Sequence, residues 1–469
     1  MTLPTSRRTL LKTLVATAIG SNLPGQVVFA GETAATGHNT RAAGAAAPIP
    51  WRNWSGSQHS LPSRREAPAS IAALQQLLRE TEAPVRPVGS GHSFSPLVPT
   101  NDILLSVNRL SGILSHDADS LQATMAAGTR LGQIGEPLEV LGQALLNMPD
   151  IDQQTLAGSL STATHGTGTT LPCLSDFITG LQLVTADGEL LDCDDQHHAE
   201  VFQAAKVGLG ALGIITAYRL QNTRPYRLRK VTEWHAIDDI LEQAEANADR
   251  YRNYEFFYIP FSGMGFTETH EITDDPVSAT AKFDQNDGAD TLRKVRNWLD
   301  WSPRLRRLVL SSYMKTLGRE EKVASSWQTY TSDRNVRFNE MEFHLPREVG
   351  LQAFREIRTL VEKHFPEVFF PFEVRYVKGD DIWLSPFYRQ DSISIAVHRF
   401  HAEDHAPLFR AVEPIFRKYR GRPHWGKMNT LNRDDFRTLY PHWDDFAAVR
   451  QALDPNGRFL NPYLKALFT

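Results

Sequence analysis

Cysteine is scarce in this 469-residue chain, in which only Cys173 and Cys193 are present. Two cysteines exclude a disulfide-rich scaffold, and their spacing lacks the paired pattern of a structural zinc site. One disulfide between them stays open at this stage. With 41% hydrophobic residues, the sequence predicts a protein stabilised by hydrophobic cores rather than by several covalent or metal cross-links.

Neither sign of charge dominates the composition. Lysine and arginine number 50 against 54 aspartate and glutamate residues, which gives a formal net charge of −4. Domains that bind nucleic acid are normally basic, so the composition argues against nucleic acid as a partner. The length is roughly three times the usual domain size of about 150 residues, and we expect two large domains.

The N-terminal apolar stretch is too short to cross a bilayer, which takes about 20 residues. It follows Arg7 and Arg8, ends at Ile19, and precedes a small-residue cleavage pattern at residues 28–30. This order is typical of a twin-arginine export signal, although a basic unstructured N-terminus is the alternative. We expect residues 1–30 to be a signal peptide, 31–48 a linker, and the mature protein to be periplasmic or secreted after passing the twin-arginine export machinery, without stable membrane insertion.

Hydrophobic periodicity predicts two blocks of mixed helices and strands that meet near residue 222. In the first block the pattern predicts a helix over 70–80 and strands over 84–88, 103–107, 121–126 and 181–185. In the second it predicts helices over 238–251, 292–310 and 351–364, and strands over 256–259, 339–344, 372–377 and 392–400. The second block is typical of an antiparallel sheet backed by helices, an α+β domain.

Two glycine-rich loops follow predicted strands in the first block. The first, Pro87-Val88-Gly89-Ser90-Gly91-His92-Ser93, has glycines that let the backbone approach a ligand and turn N–H groups inward. The second, residues 157–170, has seven hydroxyl residues and three glycines in fourteen positions. Each loop alone has a plain alternative, a tight turn or a polar surface loop. Together they predict a large phosphate-bearing cofactor.

A third glycine motif, Gly208-Leu209-Gly210-Ala211-Leu212-Gly213, matches the dinucleotide fingerprint, and Glu233 follows at about the expected distance. That fingerprint follows a strand and opens a helix, whereas here a helical pattern precedes the glycines and a β-rich segment follows them. We therefore do not expect a nicotinamide site here.

The two cofactor loops resemble those of flavoenzymes with the vanillyl-alcohol oxidase fold, and most closely those of aldonolactone oxidases and alditol oxidases. Further segments that resemble this family are 340–343, 380–386 and 422–427, so the similarity extends from Trp51 to the C-terminus. The resemblance implies an α+β protein with a PCMH-type FAD-binding domain over 49–222, an α+β substrate (cap) domain over 223–434, and a segment over 435–469 that returns to the FAD domain.

The resemblance also assigns cofactor contacts. His92 is implied to hold the flavin covalently, through the methyl carbon of the flavin ring. The other implied FAD contacts are Pro87, Val88, Gly89, Ser90, Gly91, Ser93, Ser159, Thr164, Gly166, Thr167, Gly168, Ile215 and His424.

The predicted strand 372–377 places Glu373 and Arg375 on one face, two residues apart. A structural salt bridge is the plain alternative, but in the family the matching pair binds substrate hydroxyls. By the same resemblance, Ser159 contacts substrate as well as flavin. Where alditol oxidases have a threonine substrate ligand this chain has His398, which would change the polyol or lactone that fits.

Lys427 is implied to approach the hydroxyl of the carbon that is oxidised. We expect it to lie beside Arg375, where like charge and desolvation favour loss of its proton, so that Lys427 can take the hydroxyl proton. A solvated loop lysine is the alternative. The expected catalytic residues are therefore Lys427, Glu373 and Arg375.

The implied reaction is hydride transfer from a sugar-derived alcohol, an aldono-1,4-lactone or an alditol, to flavin N5. Ala157 and Gly158 leave room for oxygen as the acceptor, and an electron carrier is the alternative. A flavin dehydrogenase for a larger alcohol and a non-catalytic flavin or sugar-binding protein also remain open. No metal site is expected, because the paired histidines His401 and His405 lack an evident third ligand.

Overall fold

The structure, a computed structural model, describes residues 50–278, 286–331 and 336–469. The predicted signal peptide and linker lie outside the described residues. The strands are β1 (Trp51–Arg52), β2 (His59–Ser60), β3 (Arg64–Glu66), β4 (Val85–Val88), β5 (Ile103–Ser106), β6 (Ile113–Asp117), β7 (Gln122–Ala126), β8 (Ile178–Val184), β9 (Leu190–Cys193), β10 (Ile214–Gln221), β11 (Arg227–Ala236), β12 (Asn253–Ile259), β13 (Met264–Thr273), β14 (Glu320–Ser325), β15 (Phe338–Pro346), β16 (Phe372–Val377), β17 (Ser392–Phe400) and β18 (Arg422–Pro423).

The α-helices are Ile71–Glu80, Gly135–Val140, Leu156–Leu160, Ala199–Lys206, Ile237–Arg250, Asn286–Trp298, Pro303–Met314, Ser326–Tyr330, Arg347–His364, Ala406–Lys418, Arg433–Leu439, Trp443–Leu453 and Pro462–Phe468. Two short 3₁₀ helices are Leu131–Gln133 and Leu174–Phe177. Within the described residues, no helix is both long enough and apolar enough to cross a membrane.

Three main sheets organise these elements. A parallel sheet has the order β3-β5-β4, and an antiparallel sheet has the order β6-β7-β10-β8-β9. The largest sheet is antiparallel, with the order β14-β11-β13-β12-β16-β17-β15-β18. The five-stranded sheet ends at Gln221 and the eight-stranded sheet begins at Arg227, on either side of the boundary that the sequence predicts at 222.

The C-terminal segment packs against the first strands. The backbone N–H of Val85 donates to the carbonyl of Arg458 at 2.8 Å, and buried Arg86 donates to the carbonyl of Phe459 at 2.8 Å. Asn461 donates to the carbonyl of Pro96 at 2.9 Å. The end of the chain is thus bonded to the segment that leads into the first glycine loop.

Alternation along the eight-stranded sheet separates an apolar face from a polar one. On the apolar face, the ring of Phe256 lies 5.5 Å from Phe354 in the helix Arg347–His364. Because successive side chains point to opposite faces, Glu255, Glu373 and Arg375 lie on the other face, which that helix does not cover. This polar face is the floor of the site described below.

The predicted strands 372–377 and 392–400 are confirmed, whereas the single helix predicted over 292–310 is wrong. The structure has two helices there, Asn286–Trp298 and Pro303–Met314. Pro303 lacks a backbone N–H and favours the first position of a helix. The hydroxyl of Ser302 accepts a bond from the Leu305 N–H, which caps the second helix.

The false dinucleotide motif lies between the helix Ala199–Lys206 and β10, as its sequence context predicts. Its last glycine is required by packing, and Gly210 and Gly213 also line the cavity described below. A Cβ on Gly213 would lie 2.4 Å from the Leu183 side chain, so only glycine lets the segment approach β8 this closely.

Candidate active site

The first glycine loop lines a cavity of about 130 Å³ at the end of β4. All seven residues from Pro87 to Ser93 lie on this cavity, as does Ile215 from β10. Gly91 has φ +72°, a left-handed conformation that favours glycine. Every residue of this loop thus faces one cavity, and its contacts with the flavin stay a prediction.

The second loop approaches the same cavity through different residues from most of those predicted. Ala157, Gly158, Ser161 and Thr162 line it. A Cβ on Gly89 would lie 2.2 Å from the Thr155 hydroxyl oxygen, so glycine is required where the two loops meet. Backbone amides, hydroxyls and an apolar wall that includes Ile215 suit the pyrophosphate and the flat ring of FAD.

Ser159, which the sequence predicts as a contact of both flavin and substrate, does not face either cavity. Its hydroxyl donates to the carbonyl of Leu156 at 3.0 Å, and the side chain is buried. Serine in a helical turn commonly bonds back to a carbonyl of the preceding turn. Ser161 and Thr162, which directly follow this helix, line the first cavity instead.

Gly166, Thr167 and Gly168, which the sequence predicts as flavin contacts, do not line the first cavity. The Thr167 hydroxyl donates to the carbonyl of Tyr254 at 2.5 Å, and the Gly168 N–H donates to the carbonyl of Tyr376 at 2.6 Å, so these two residues are bonded to the eight-stranded sheet. A Cβ on Gly166 would lie 2.4 Å from the backbone oxygen of Met148, so glycine is required there by packing.

His92 lies on the first cavity and stacks on Trp54, with ring centroids 5.4 Å apart. Burial lowers the pKa of His92 to about 4, and the charges of Lys427 and Arg130 act in the same direction. The imidazole is therefore neutral at physiological pH and keeps one ring nitrogen with a free electron pair.

A second, larger cavity of about 450 Å³ lies over the polar face of the eight-stranded sheet. It brings together the predicted substrate residues Glu373, Arg375, His398 and Lys427, and Thr164 lies here rather than on the first cavity. The two cavities share four lining residues, Ile151, Gln154, His424 and Lys427. A group on the glycine loops and a substrate on the sheet would therefore meet at His424 and Lys427.

The neighbours of Lys427 differ from the prediction. Its Nζ donates to Glu340 at 2.5 Å and lies 3.6 Å from Glu342, so the contacts are carboxylates instead of Arg375. Burial on its own raises the pKa of Glu340, but the charges of Lys427 and His398 outweigh it and lower the pKa to about 2. In this arrangement Lys427 is a hydrogen-bond donor to Glu340, and its role as a base stays a prediction.

Arg375 is held by carboxylates on neighbouring strands. Its guanidinium lies 2.9 Å from Glu342 and 3.6 Å from Glu373. Burial raises the pKa of Glu342, but Arg375, His165 and Lys427 outweigh this effect and hold it well below its usual range. Glu342 is therefore ionised, and Arg375 is fixed in the buried floor of the cavity.

Two histidines complete the polar wall. Nδ1 of His398 lies 2.9 Å from the carbonyl of Pro371 and must donate to it, so Nε2 is directed towards Glu340, 3.6 Å away. Nδ1 of His424 accepts the Gly426 N–H at 2.9 Å, and burial lowers the pKa of His424 to about 3. His424 is therefore a neutral donor through Nε2.

Two family models match the chain. One, described as D-arabinono-1,4-lactone oxidase, matches residues 218–467, and another, described as an FAD binding domain, matches residues 64–194. The chain belongs to the D-arabinono-1,4-lactone oxidase family. This membership and the FAD-binding match make it an FAD-dependent oxidoreductase, and the first cavity has the lining that this cofactor needs.

Relatives in this family match nearly the whole protein. An L-gulono-1,4-lactone dehydrogenase of Mycobacterium tuberculosis is 34% identical over 88% of this chain and 98% of its own length. An L-gulonolactone oxidase of Bos taurus is 30% identical over 90% of this chain and 98% of its own length. An alditol oxidase of Streptomyces is 25% identical over 88% of this chain and 98% of its own length. A solvent-stable cholesterol oxidase has the same fold, with a TM-score of 0.76, 17% identity and coverage of 90% and 98%.

Sequence reasoning missed Glu340 and Glu342 as site residues of this family member. The segment Glu340-Met341-Glu342 was noted only as part of the resemblance. Its alternation in a predicted strand places both carboxylates on one face, and that signal could have identified them. Their cationic partners, Lys427 and Arg375, are distant in sequence.

Groups with metal-ligand chemistry occur in the described part of this family member, but they are already paired. Glu340, Glu373 and His398 bring ligand-type atoms within 4.8 Å of one another, as do His165, Glu342 and His344. Lys427 bonds Glu340 and Arg375 bonds Glu342, so resident cations already compensate these carboxylates.

The disulfide that the sequence left open is not formed. Cys173 and Cys193 are free buried thiols. The Cys173 thiol lies 3.3 Å from a carboxylate oxygen of Asp380, and burial raises the pKa of Cys173 well above its usual value. Neither thiol lines either of the two cavities.

Proposed function

We propose that the protein oxidises a hydroxyl group of an aldono-1,4-lactone or an alditol, with FAD held on the first cavity. The observation that supports this most directly is the junction of the two cavities at His424 and Lys427. One cavity has the lining for FAD, and the other has the carboxylates and cations that recognise neighbouring hydroxyls. The names of the relatives supply the substrate class.

Residues of the second cavity hold the substrate by hydrogen bonds. FAD, when bound, supplies the acceptor for the hydride that leaves the substrate carbon. Glu373 accepts hydrogen bonds from substrate hydroxyls and Arg375 donates them, and both are fixed by the sheet. This fixed geometry places the reacting carbon at the junction, which is worth several orders of magnitude in rate.

The proton of the hydroxyl is handled by the pair of Lys427 and Glu340. As negative charge develops on the substrate oxygen, the Lys427 ammonium stabilises it by a charge-assisted hydrogen bond. Glu340 then loses part of its compensating charge, and because burial favours its neutral form, it becomes a stronger base. We propose that the proton passes to the Glu340 carboxylate.

The proposed function is tested by anaerobic reduction of the flavin. L-gulono-1,4-lactone, D-arabinono-1,4-lactone and an alditol such as xylitol are mixed with the FAD-loaded protein, and loss of the visible flavin absorbance is followed. We expect at least one to reduce the flavin, whereas 2-propanol, which lacks neighbouring hydroxyls, does not. Reduction by none of the three would contradict the proposal, and equal reduction by 2-propanol would contradict recognition by the polar cavity.

We also propose oxygen as the acceptor of the reduced enzyme. Ala157 and Gly158 line the first cavity, and their small size leaves room there for a molecule as small as oxygen. Admitting air after the anaerobic reduction completes the same experiment. Reoxidation no faster than that of free reduced flavin would indicate an electron carrier instead.

Covalent attachment of the flavin at His92 is a further part of the proposal. His92 lines the first cavity, and its low pKa leaves a ring nitrogen with a free electron pair. We expect acid precipitation to leave the yellow colour in the protein pellet and His92→Ala to move it to the supernatant. His59→Ala, at an exposed histidine, is the matched control and keeps the colour in the pellet. Colour in the wild-type supernatant would exclude the bond.

A further inference from the structure

The second cavity extends beyond the polar residues over a row of aromatic side chains on the same sheet face. Register places Trp234 of β11 opposite Phe266 of β13, and Phe266 opposite Phe257 of β12. Phe257 in turn pairs with Glu373 of β16. One continuous row therefore runs from a substrate-binding carboxylate into three aromatic rings.

These rings form a preorganised surface. The centroids of Trp234 and Phe266 are 4.8 Å apart, and those of Phe266 and Phe257 are 4.6 Å apart with nearly parallel planes. Leu292 and Leu317 also line this part of the cavity. We call the part of the cavity lined by Trp234, Phe257, Phe266, Ile259, Leu292 and Leu317 the aromatic annex.

The cavity is larger than a free sugar lactone requires. Its volume is about 450 Å³. Neighbouring strands lie about 4.8 Å apart, so Trp234 on β11 is three strand spacings, roughly 14 Å, from the strand that carries Glu373. A six-carbon aldonolactone, with twelve non-hydrogen atoms, is shorter than this span. Such a molecule, bound at Glu373 and Arg375, leaves the annex to water.

The chemistry of the annex selects an apolar occupant. None of its six lining side chains is charged, and only the Trp234 indole can donate a hydrogen bond. Glu268, which is paired with Lys230 at 2.5 Å, and Thr232, Tyr313 and Glu320 also line the cavity outside the annex. A second sugar ring could stack on Trp234, but those of its hydroxyls that face Ile259, Leu292 and Leu317 would lose their water without gaining partners.

We propose that the aromatic annex binds an apolar substituent of the substrate, so that the preferred substrate is a sugar lactone or polyol carrying an aromatic or alkyl group at the end away from the oxidised carbon. This inference rests on the proposed function, because it requires the polyhydroxylated end to bind at Glu373 and Arg375. It goes beyond that function by naming a second specificity site.

The test compares matched substrates in the reductive half-reaction. The lactone or alditol that reduces the flavin is compared with its benzyl ether on the terminal hydroxyl, and flavin reduction is followed anaerobically over a range of concentrations. Because no acceptor is present, only the substrate is probed. We expect the benzyl ether to have the higher ratio of reduction rate to half-saturating concentration, by roughly tenfold or more, since each apolar group placed in a fitting pocket has an effect of this order.

Two variants locate the effect. Trp234→Ala removes one wall of the annex, and Leu317→Phe fills space within it; each is expected to bring the preference for the benzyl ether close to one. The matched control is Trp298→Ala, at a tryptophan that is 62% exposed, which keeps the preference. Since the two annex variants act by opposite changes of volume, failure of one to fold leaves the other.

The outcomes separate the two levels of the proposal. If the parent compound reduces the flavin and the benzyl ether is no better, the annex proposal is wrong and the proposed function stands. Preference for a glycosylated parent over the benzyl ether would likewise overturn the apolar assignment. If neither the parent compounds nor their ethers reduce the flavin, the proposed function is wrong and the annex proposal falls with it.

Discussion

Lys427→Met is expected to retain FAD and to slow flavin reduction by substrate roughly a hundredfold or more, the usual range for removing a group that handles a proton. Lys427 lies where the two cavities meet and donates to Glu340 at 2.5 Å. Methionine keeps most of the side-chain volume but cannot stabilise negative charge on the substrate oxygen. The rate of anaerobic flavin reduction in single-turnover mixing measures the loss.

The pH dependence of the residual rate distinguishes this role from a structural one. The charge of Lys427 is the largest factor that offsets burial and holds the pKa of Glu340 at about 2. Without it, the effect of burial is less opposed and the pKa of Glu340 rises, so that the base is protonated at a higher pH than in the wild type. The residual rate in Lys427→Met should therefore rise as the pH rises, whereas wild-type Glu340 is ionised throughout.

Two substitutions serve as controls for Lys427→Met. Lys427→Arg keeps the charge and should recover part of the rate, and Lys363→Met changes an exposed lysine and should leave the rate unaltered. A normal reduction rate in Lys427→Met would refute the proposed proton route. A slow rate with the same pH profile as the wild type would mean that Lys427 only positions substrate.

The first glycine loop could be predicted from sequence because its determinants are local. A strand followed by alternating glycines has few conformations, and all seven residues from Pro87 to Ser93 reach the first cavity. The second loop was harder. Composition identifies a polar, flexible segment, but the direction of each side chain depends on what packs against it, as the bonds of Ser159 to Leu156 and of Thr167 to Tyr254 show.

The polar floor of the site depends on pairings that a single sequence does not reveal. The predicted strands were correct in their main outlines, and alternation placed Glu373 and Arg375 on one face. Which strands are neighbours is a long-range property: β16 lies between β12 and β17, and β15 lies beyond β17. This order brings Glu342 to Arg375, and a turn after β18 brings Lys427 to Glu340. The error about the neighbours of Lys427 follows directly from this missing information.

The aromatic annex could not be predicted either, because it also depends on which strands are neighbours. Trp234, Phe257 and Phe266 each occupy an ordinary strand position, and none belongs to a recognisable motif. Only the register between β11, β13 and β12 aligns them into one row. Of these three strands the sequence analysis predicted only β12, over 256–259, and the surface of the annex arises from pairings between strands.

Arg375→Met is expected to lower the free energy of unfolding by about 3–5 kcal/mol, the usual cost of leaving a buried charge without its partner. Arg375 is 7% exposed and lies 2.9 Å from Glu342 and 3.6 Å from Glu373. Methionine fills similar space but leaves these carboxylates in the sheet floor without the guanidinium. Denaturant titration of the FAD-loaded protein, followed by tryptophan fluorescence, measures the change.

The matched control for Arg375→Met is Arg389→Met. Arg389 also forms an ion pair with an acidic side chain, Asp381, at 3.0 Å, but the two side chains are 72% and 81% exposed. Solvent and salt screen ion pairs that are this exposed, so this variant should be nearly as stable as the wild type. A similar loss in both variants would show that burial of the charge is not the cause.

The loss of stability in Arg375→Met should depend on pH in a defined direction. The pKa of folded Glu342 is held well below its ordinary 4.5 by Arg375, His165 and Lys427, which together outweigh burial. A carboxyl whose folded pKa is depressed contributes stability that is present above the unfolded pKa and is lost as the pH falls through the folded pKa. The difference in free energy of unfolding between the wild type and Arg375→Met should therefore be largest above pH 4.5 and should decrease as the pH falls below it.

A double variant separates charge from shape. Glu342→Gln in the Arg375→Met background removes the carboxylate left without its partner, and the pair of changes should cost less than the sum of the single ones. The losses of unfolding free energy could instead be additive, or the difference in this free energy between the wild type and Arg375→Met could be constant with pH. Either result would mean that packing of the arginine side chain is the main contribution to stability. Recovery of unfolding free energy in the double variant, together with a smaller difference between the wild type and Arg375→Met at acid pH, would identify the buried ion pair as the element that fixes the floor of the substrate cavity.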